Sequence, residues 1–85
     1  MPSTVTPATS RPARAELEFE RFVALSMPRF RRHLANRLRG AAELEDALQA
    51  GLMRMWSQWN GWPADPLIRR AYALRALAHA ADDVA

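Results

Sequence analysis

Leu44-Glu45-Asp46-Ala47-Leu48-Gln49-Ala50-Gly51-Leu52-Met53-Arg54-Met55-Trp56 is the stretch whose reading decides the fold. Apolar side chains recur every three or four residues, at Leu44, Leu48, Leu52, Met55 and then Trp59, which is the period of a helix buried along one stripe. Asp46, Gln49 and Met53 are spaced three and then four residues apart, so they share a second face of the same helix. A solvated face does not need an acid, an amide and a thioether in one line. The line suits the docking of another protein.

Upstream, Phe19, Phe22 and Val23 form one apolar cluster, and Met27, Phe30, Leu34 and Leu38 continue the face. Pro28 falls inside this run. A proline costs about 3 kcal/mol in a helix interior but fits a first turn. The spacing therefore predicts a helix over 15–26 and a second over 28–39, joined at a kink. Gly40 is the expected stop just past the last periodic residue. Residues 1–14 hold three prolines and little to bury, and are expected to be a disordered tail ahead of a helical domain over 15–85.

Downstream, the helix begun near Ala42 is expected to run to Trp59. Asn60-Gly61-Trp62-Pro63-Ala64 is turn chemistry. Asp65-Pro66 is a start signal, because the carboxylate caps and the proline suits the first helical position. A last helix is predicted over 66–83, with Leu67, Ala71, Leu74, Leu77, Ala78 and Ala81 as its core stripe. No segment alternates with period two, so no strand is expected. The fold class is all-α: a small bundle of three main helices, the first open to a break at Pro28.

The chain has 85 residues, enough for one small domain that buries only about 60% of its unfolded surface. It has no cysteine and two histidines, His33 and His79, so neither a disulfide framework nor a metal centre is expected, and no cofactor is implied. The twelve basic residues are all arginine, and the net charge is +3. Forked guanidinium donors suit phosphate, but the arginine and alanine content also fits codon usage in a GC-rich genome. No apolar run approaches the ~20 residues of a membrane span, and no secretory h-region is visible, so a soluble cytoplasmic protein is expected.

Tyr72, Arg75 and His79 are three and four residues apart and line one face of the last helix, with Arg69 and Arg70 one turn earlier. A ring flanked by guanidinium groups suits single-stranded nucleic acid, the ring stacking on a base and the arginines meeting phosphates. A half-buried tyrosine beside solvated charges fits the same spacing. Trp56, Trp59 and Trp62 read as core filler and a lid over the bundle end, with Trp62 in the loop also placed to meet a ligand. Arg29, Arg31, Arg32, Arg37 and Arg39 read as a solvated helix face. No nucleophile, base and acid fall into a recognisable arrangement, and no catalytic residue or enzyme activity is expected.

Glu45-Asp46-Ala47-Leu48-Gln49-Ala50-Gly51-Leu52-Met53-Arg54-Met55-Trp56 resembles the signature of the second conserved region of extracytoplasmic-function sigma factors. Phe19-Glu20-Arg21-Phe22 and Met27-Pro28-Arg29-Phe30 look like that family's opening helix. Ala71-Tyr72-Ala73-Leu74-Arg75 resembles its Ala-Trp-Leu-Tyr-Arg, and His79 and Asp83 fall where it often has Asn and Asp. The resemblance covers about residues 16–85.

The resemblance implies a transcription-initiation domain that docks on the clamp helices of RNA polymerase core. It also implies a part in recognising and melting the minus-ten promoter element by capture of the non-template strand. Carried over, Asp46, Gln49, Met53 and Arg54 look like clamp contacts. Tyr72, Arg75 and His79, with Arg69 and Arg70 beside them, look like DNA contacts. An anti-sigma factor covering the same faces is a further partner the resemblance allows. The chain departs from the family pattern where Ala50 and Gly51 replace Glu and Thr, and where the end, Ala80-Ala81-Asp82-Asp83-Val84-Ala85, is acidic rather than basic. Those departures keep a second reading open: a degenerate sigma-like module that binds a protein partner and no promoter. A third is an unrelated helical bundle that oligomerises through its tryptophans.

Overall fold

Helix α1 spans Thr6–Ala35, α2 spans Ala41–Gln58 and α3 spans Pro66–Val84, with a single 3-10 turn at Trp59–Gly61 between the last two. This computed structural model describes the backbone of residues 6–84 and the side chains from Arg14 onward. The predicted all-α bundle is what forms, and the described residues contain no strand. Of the tail expected at 1–14, residues 1–5 lie outside the described residues, as do the side chains of residues 6–13, but the backbone from Thr6 onward is the start of α1 and not a tail, with Pro7 in the first turn, where a proline is tolerated.

The two helices predicted over 15–26 and 28–39 are one, since α1 runs without interruption through Pro28. The proline deletes the bond its own N–H would have made to the Ala24 carbonyl. Both residues are exposed, so that carbonyl can turn to water. The turns on either side are held by the core: Phe22 before the proline and Phe30 after it meet with ring centroids 6.0 Å apart. Aromatic packing on both flanks outweighs the local preference for a break.

Helix α1 also stops earlier than predicted, at Ala35. Its last turn tightens through bonds from the Arg37 and Leu38 amides to the Leu34 carbonyl, at 2.9 and 2.8 Å. This turn tucks Leu38 into the core. Gly40 is therefore not the stop of α1. It is the N-cap of α2, with extended backbone at φ −95 and ψ 144 and its carbonyl accepting from the Leu44 amide at 3.0 Å. Glu43 in the first turn complements the helix dipole.

Phe30, Leu34 and Leu38 of α1, Ala47, Leu48 and Met55 of α2, and Ala73, Ala76, Leu77, Ala80 and Ala81 of α3 form the core. The stripe predicted on α2 holds, with Leu44 and Leu52 half-buried at its margin. The stripe predicted on α3 is rotated. Leu67 is 68% exposed and Ala71 is exposed, whereas Ala73, Ala76 and Ala80 are buried. Small residues face α2 because the two helices approach closely at Gly51, which is itself buried. A Cβ built there would lie 2.5 Å from Leu77 Cδ2. The glycine weakens α2 as a helix by about 1 kcal/mol, and this contact is what it permits.

The aromatic side chains make a continuous series. Phe19 meets Trp56 and Trp59 at 5.2 and 5.1 Å, and Phe22 meets Trp59 at 5.4 Å. Trp59 meets Trp62 at 5.7 Å, and Trp62 meets Tyr72 edge-on at 5.5 Å. The series ties α1 to the α2–α3 connection. It also carries core packing out to the one tyrosine of the chain, whose ring reaches the surface.

Candidate functional site

Asp65 sets the start of α3. Its Oδ1 accepts from the Leu67 amide at 2.8 Å and the Ile68 amide at 3.2 Å, which is the N-cap predicted from Asp65-Pro66. The cap fixes where α3 begins, and Tyr72, Arg75, Ala76 and His79 follow along one side of it. These four form one wall of an open cleft of about 450 Å³, and Arg54, Gln58, Gly61 and Trp62 form the other.

Tyr72, Arg75 and His79 are therefore brought together, as their spacing predicts, and all three are exposed. The half-buried Trp62 faces Tyr72 at the angle of an edge-to-face pair, 87°. One cleft thus holds two aromatic rings, two guanidinium groups, an imidazole and an amide. Such a set can take a planar base and an adjacent phosphate.

Arg69 and Arg70 are not part of this cleft. Arg69 folds back on its own loop: Nε donates to the Pro63 carbonyl at 3.0 Å, and the guanidinium lies 4.2 Å from the centre of a Trp59 ring. It closes the connection over the buried tryptophan. Arg70 is half-buried and does not line the cleft.

On α2, Asp46 and Gln49 are exposed and Met53 is 70% exposed, so the predicted line exists as a surface. Trp56 extends it. Predicted as core filler, this side chain is 42% exposed while one side of its ring system rests on Phe19. Its spacing from Met53 and Gln49, three and then seven residues, was the available signal. Arg54, which the resemblance groups with that line, lies on the cleft side of α2, where Nη2 donates to Asp83 Oδ2 at 3.1 Å. Gln58, four residues on from Arg54, lines the same cleft, and the i, i+4 spacing that places the two on one face is its signal in the sequence.

A second ion pair, Arg31 with Glu45 at 2.6 Å, links α1 to α2 at the surface. With both side chains about half exposed, it contributes at most about 1 kcal/mol. His33 differs. Its Nε2 is buried and has no hydrogen-bond partner among the described residues. Burial first, and the Arg37 charge second, push its pKa below the ordinary value. Among the described residues no three His, Asp or Glu side chains converge as a metal site would require, and no helix is long and apolar enough to cross a membrane.

No family model matches the chain, and no curated protein or solved structure does.

Proposed function

We propose that this chain acts in transcription initiation as a domain of the sigma region-2 type. The Asp46, Gln49 and Met53 line of α2 docks on the clamp helices of RNA polymerase core. The cleft of Trp62, Tyr72, Arg75 and His79 takes the non-template strand of the minus-ten element. Polymerase docking would place the protein in the cytoplasm.

The exposed line on α2 carries this reading. Met53 presents a 70% exposed thioether between an acid and an aromatic ring, on the side of α2 that neither α1 nor α3 covers. Apolar side chains flanked by polar ones at helical spacing are what a helix-to-helix protein contact uses. The resemblance of residues 45–56 to the sigma signature adds the identity of the partner. The cleft supports the DNA role through its chemistry, stacking rings beside guanidinium groups.

Capture of purified polymerase core by the chain, beside its Asp46→Arg variant, tests the reading. Binding by the wild type and loss in the variant is the expected result. Failure of both to bind, with each shown folded by circular dichroism, rejects it. The paired acids Asp82 and Asp83 favour a second reading, a module that binds a protein partner, an anti-sigma factor included, but no promoter. Tyr72→Ala with Arg75→Ala separates the two. Under the first reading, the double change abolishes binding to a single-stranded minus-ten segment and leaves polymerase capture intact.

A further inference from the structure

Arg54 stands on the wall of the cleft, yet its guanidinium is engaged by Asp83 at 3.1 Å. Asp83 lies four residues beyond His79, on the stripe of α3 that carries Tyr72, Ala76 and His79. Its side chain is 70% exposed, and that of Arg54 is 41% exposed. The carboxylate is thus an exposed anion set at the side of a cleft whose guanidinium groups can bind phosphate.

We propose that Asp83 substitutes for a nucleic-acid phosphate on Arg54, so that a strand entering the cleft must displace it. This rests on the strand-binding role proposed above. The ligand class is single-stranded nucleic acid, one base lodged against Trp62 and Tyr72 and its phosphodiester reaching Arg54 and Arg75. Two arguments support the exchange. A carboxylate and a phosphate oxygen offer the same guanidinium equivalent acceptors, so one bond replaces the other. An exposed ion pair is weakly held, so a ligand that brings several phosphates can break it. While Asp83 stays, its charge repels the incoming phosphate as well as occupying its donor. The acidic end of α3 therefore lowers affinity for strands without removing the site, and it favours ligands that also fill the aromatic part of the cleft.

The test is fluorescence anisotropy of a labelled single-stranded DNA about ten nucleotides long, with the full chain as titrant. The titrants are the wild type, Asp83→Asn, Arg54→Ala, the Arg54→Ala/Asp83→Asn pair, and Tyr72→Ala with Arg75→Ala. Asp83→Asn is expected to bind about fivefold more tightly than the wild type in ~0.05 M salt, with the gain shrinking towards 1 M as screening removes the repulsion. In the Arg54→Ala background the gain should largely disappear. Equal binding by wild type and Asp83→Asn overturns the exchange, as does a gain that Arg54→Ala leaves undiminished. If the Tyr72→Ala/Arg75→Ala protein is weaker in those same titrations, the strand-binding reading stands on its own. No binding by wild type or Asp83→Asn, both folded by circular dichroism, rejects the strand-binding role and the exchange together.

Discussion

Gly51 and Leu77 meet so closely that a Cβ on the glycine would lie 2.5 Å from Leu77 Cδ2 and 3.5 Å from Leu77 Cα. Leu77 is fully buried, so its side chain has little room to swing aside. Gly51→Ala adds about 1 kcal/mol of helix propensity but overpacks the α2–α3 contact by about 2 kcal/mol. The expected outcome in urea unfolding is a net loss of about 1 kcal/mol. In a Leu77→Val background, where Cδ2 is gone, the same change should instead stabilise. A gain of equal size in both backgrounds would show that the contact is not tight.

Pro28 interrupts the hydrogen-bond ladder of a continuous helix from an exposed position. Pro28→Ala restores one backbone bond and loses no buried contact. It should raise stability by about 2 kcal/mol, the helix-interior penalty less the unfolded-state entropy that proline removes. Denaturant midpoints read this directly. A drop in midpoint would mean that the proline itself helps to seat Phe22 against Phe30.

Asp65 serves two amides at the head of α3. Asp65→Ala should lower stability by about 1 kcal/mol, and Asp65→Asn by much less, because the amide oxygen can still cap. The change should also loosen the Arg69 contact with Trp59, visible as altered tryptophan fluorescence. Equal losses for Ala and Asn would point to the charge, not the cap.

His33 gives stability a pH dependence. Its pKa is lowered in the fold from 6.5, first by burial, which disfavours the charged ring, and then by the Arg37 charge. Below 6.5 the unfolded chain takes up this proton more readily than the folded one, so the unfolded state gains. The contribution is present above the unfolded-state pKa and is lost as pH falls from there towards the folded-state value. Melting temperatures of wild type and His33→Gln, followed from pH ~7.5 down to ~5, should converge on the acid side or cross. Parallel curves would exclude His33 as the origin.

Much of the molecule could be read from local signals. The Asp65-Pro66 pair marked the head of α3, the Leu48–Met55–Trp59 stripe marked the buried side of α2, and the spacing of Tyr72, Arg75 and His79 marked one wall of the cleft. Each depends on neighbours within a turn or two, where backbone geometry leaves little choice. Spacing does not give the positions of Arg69 and Arg54, for a different reason. A long side chain on a helix margin can turn to either face, and its partner decides which. Trp59 and the Pro63 carbonyl claim Arg69, and Asp83 claims Arg54.

The sequence by itself determined that there would be helices, where α2 and α3 would begin, and which residues would share a face, because these follow from periodicity, capping and the absence of alternation. Only the tertiary structure decided that α1 would run through Pro28, that Ala73, Ala76 and Ala80 would face the core in place of Leu67 and Ala71, and that Arg54 would join Tyr72 and Trp62 across a cleft. An alanine-rich helix such as α3 has no sharp apolar stripe to set its rotation. The close approach of Leu77 to Gly51 sets it, and a contact between residues 26 positions apart leaves no mark in local periodicity.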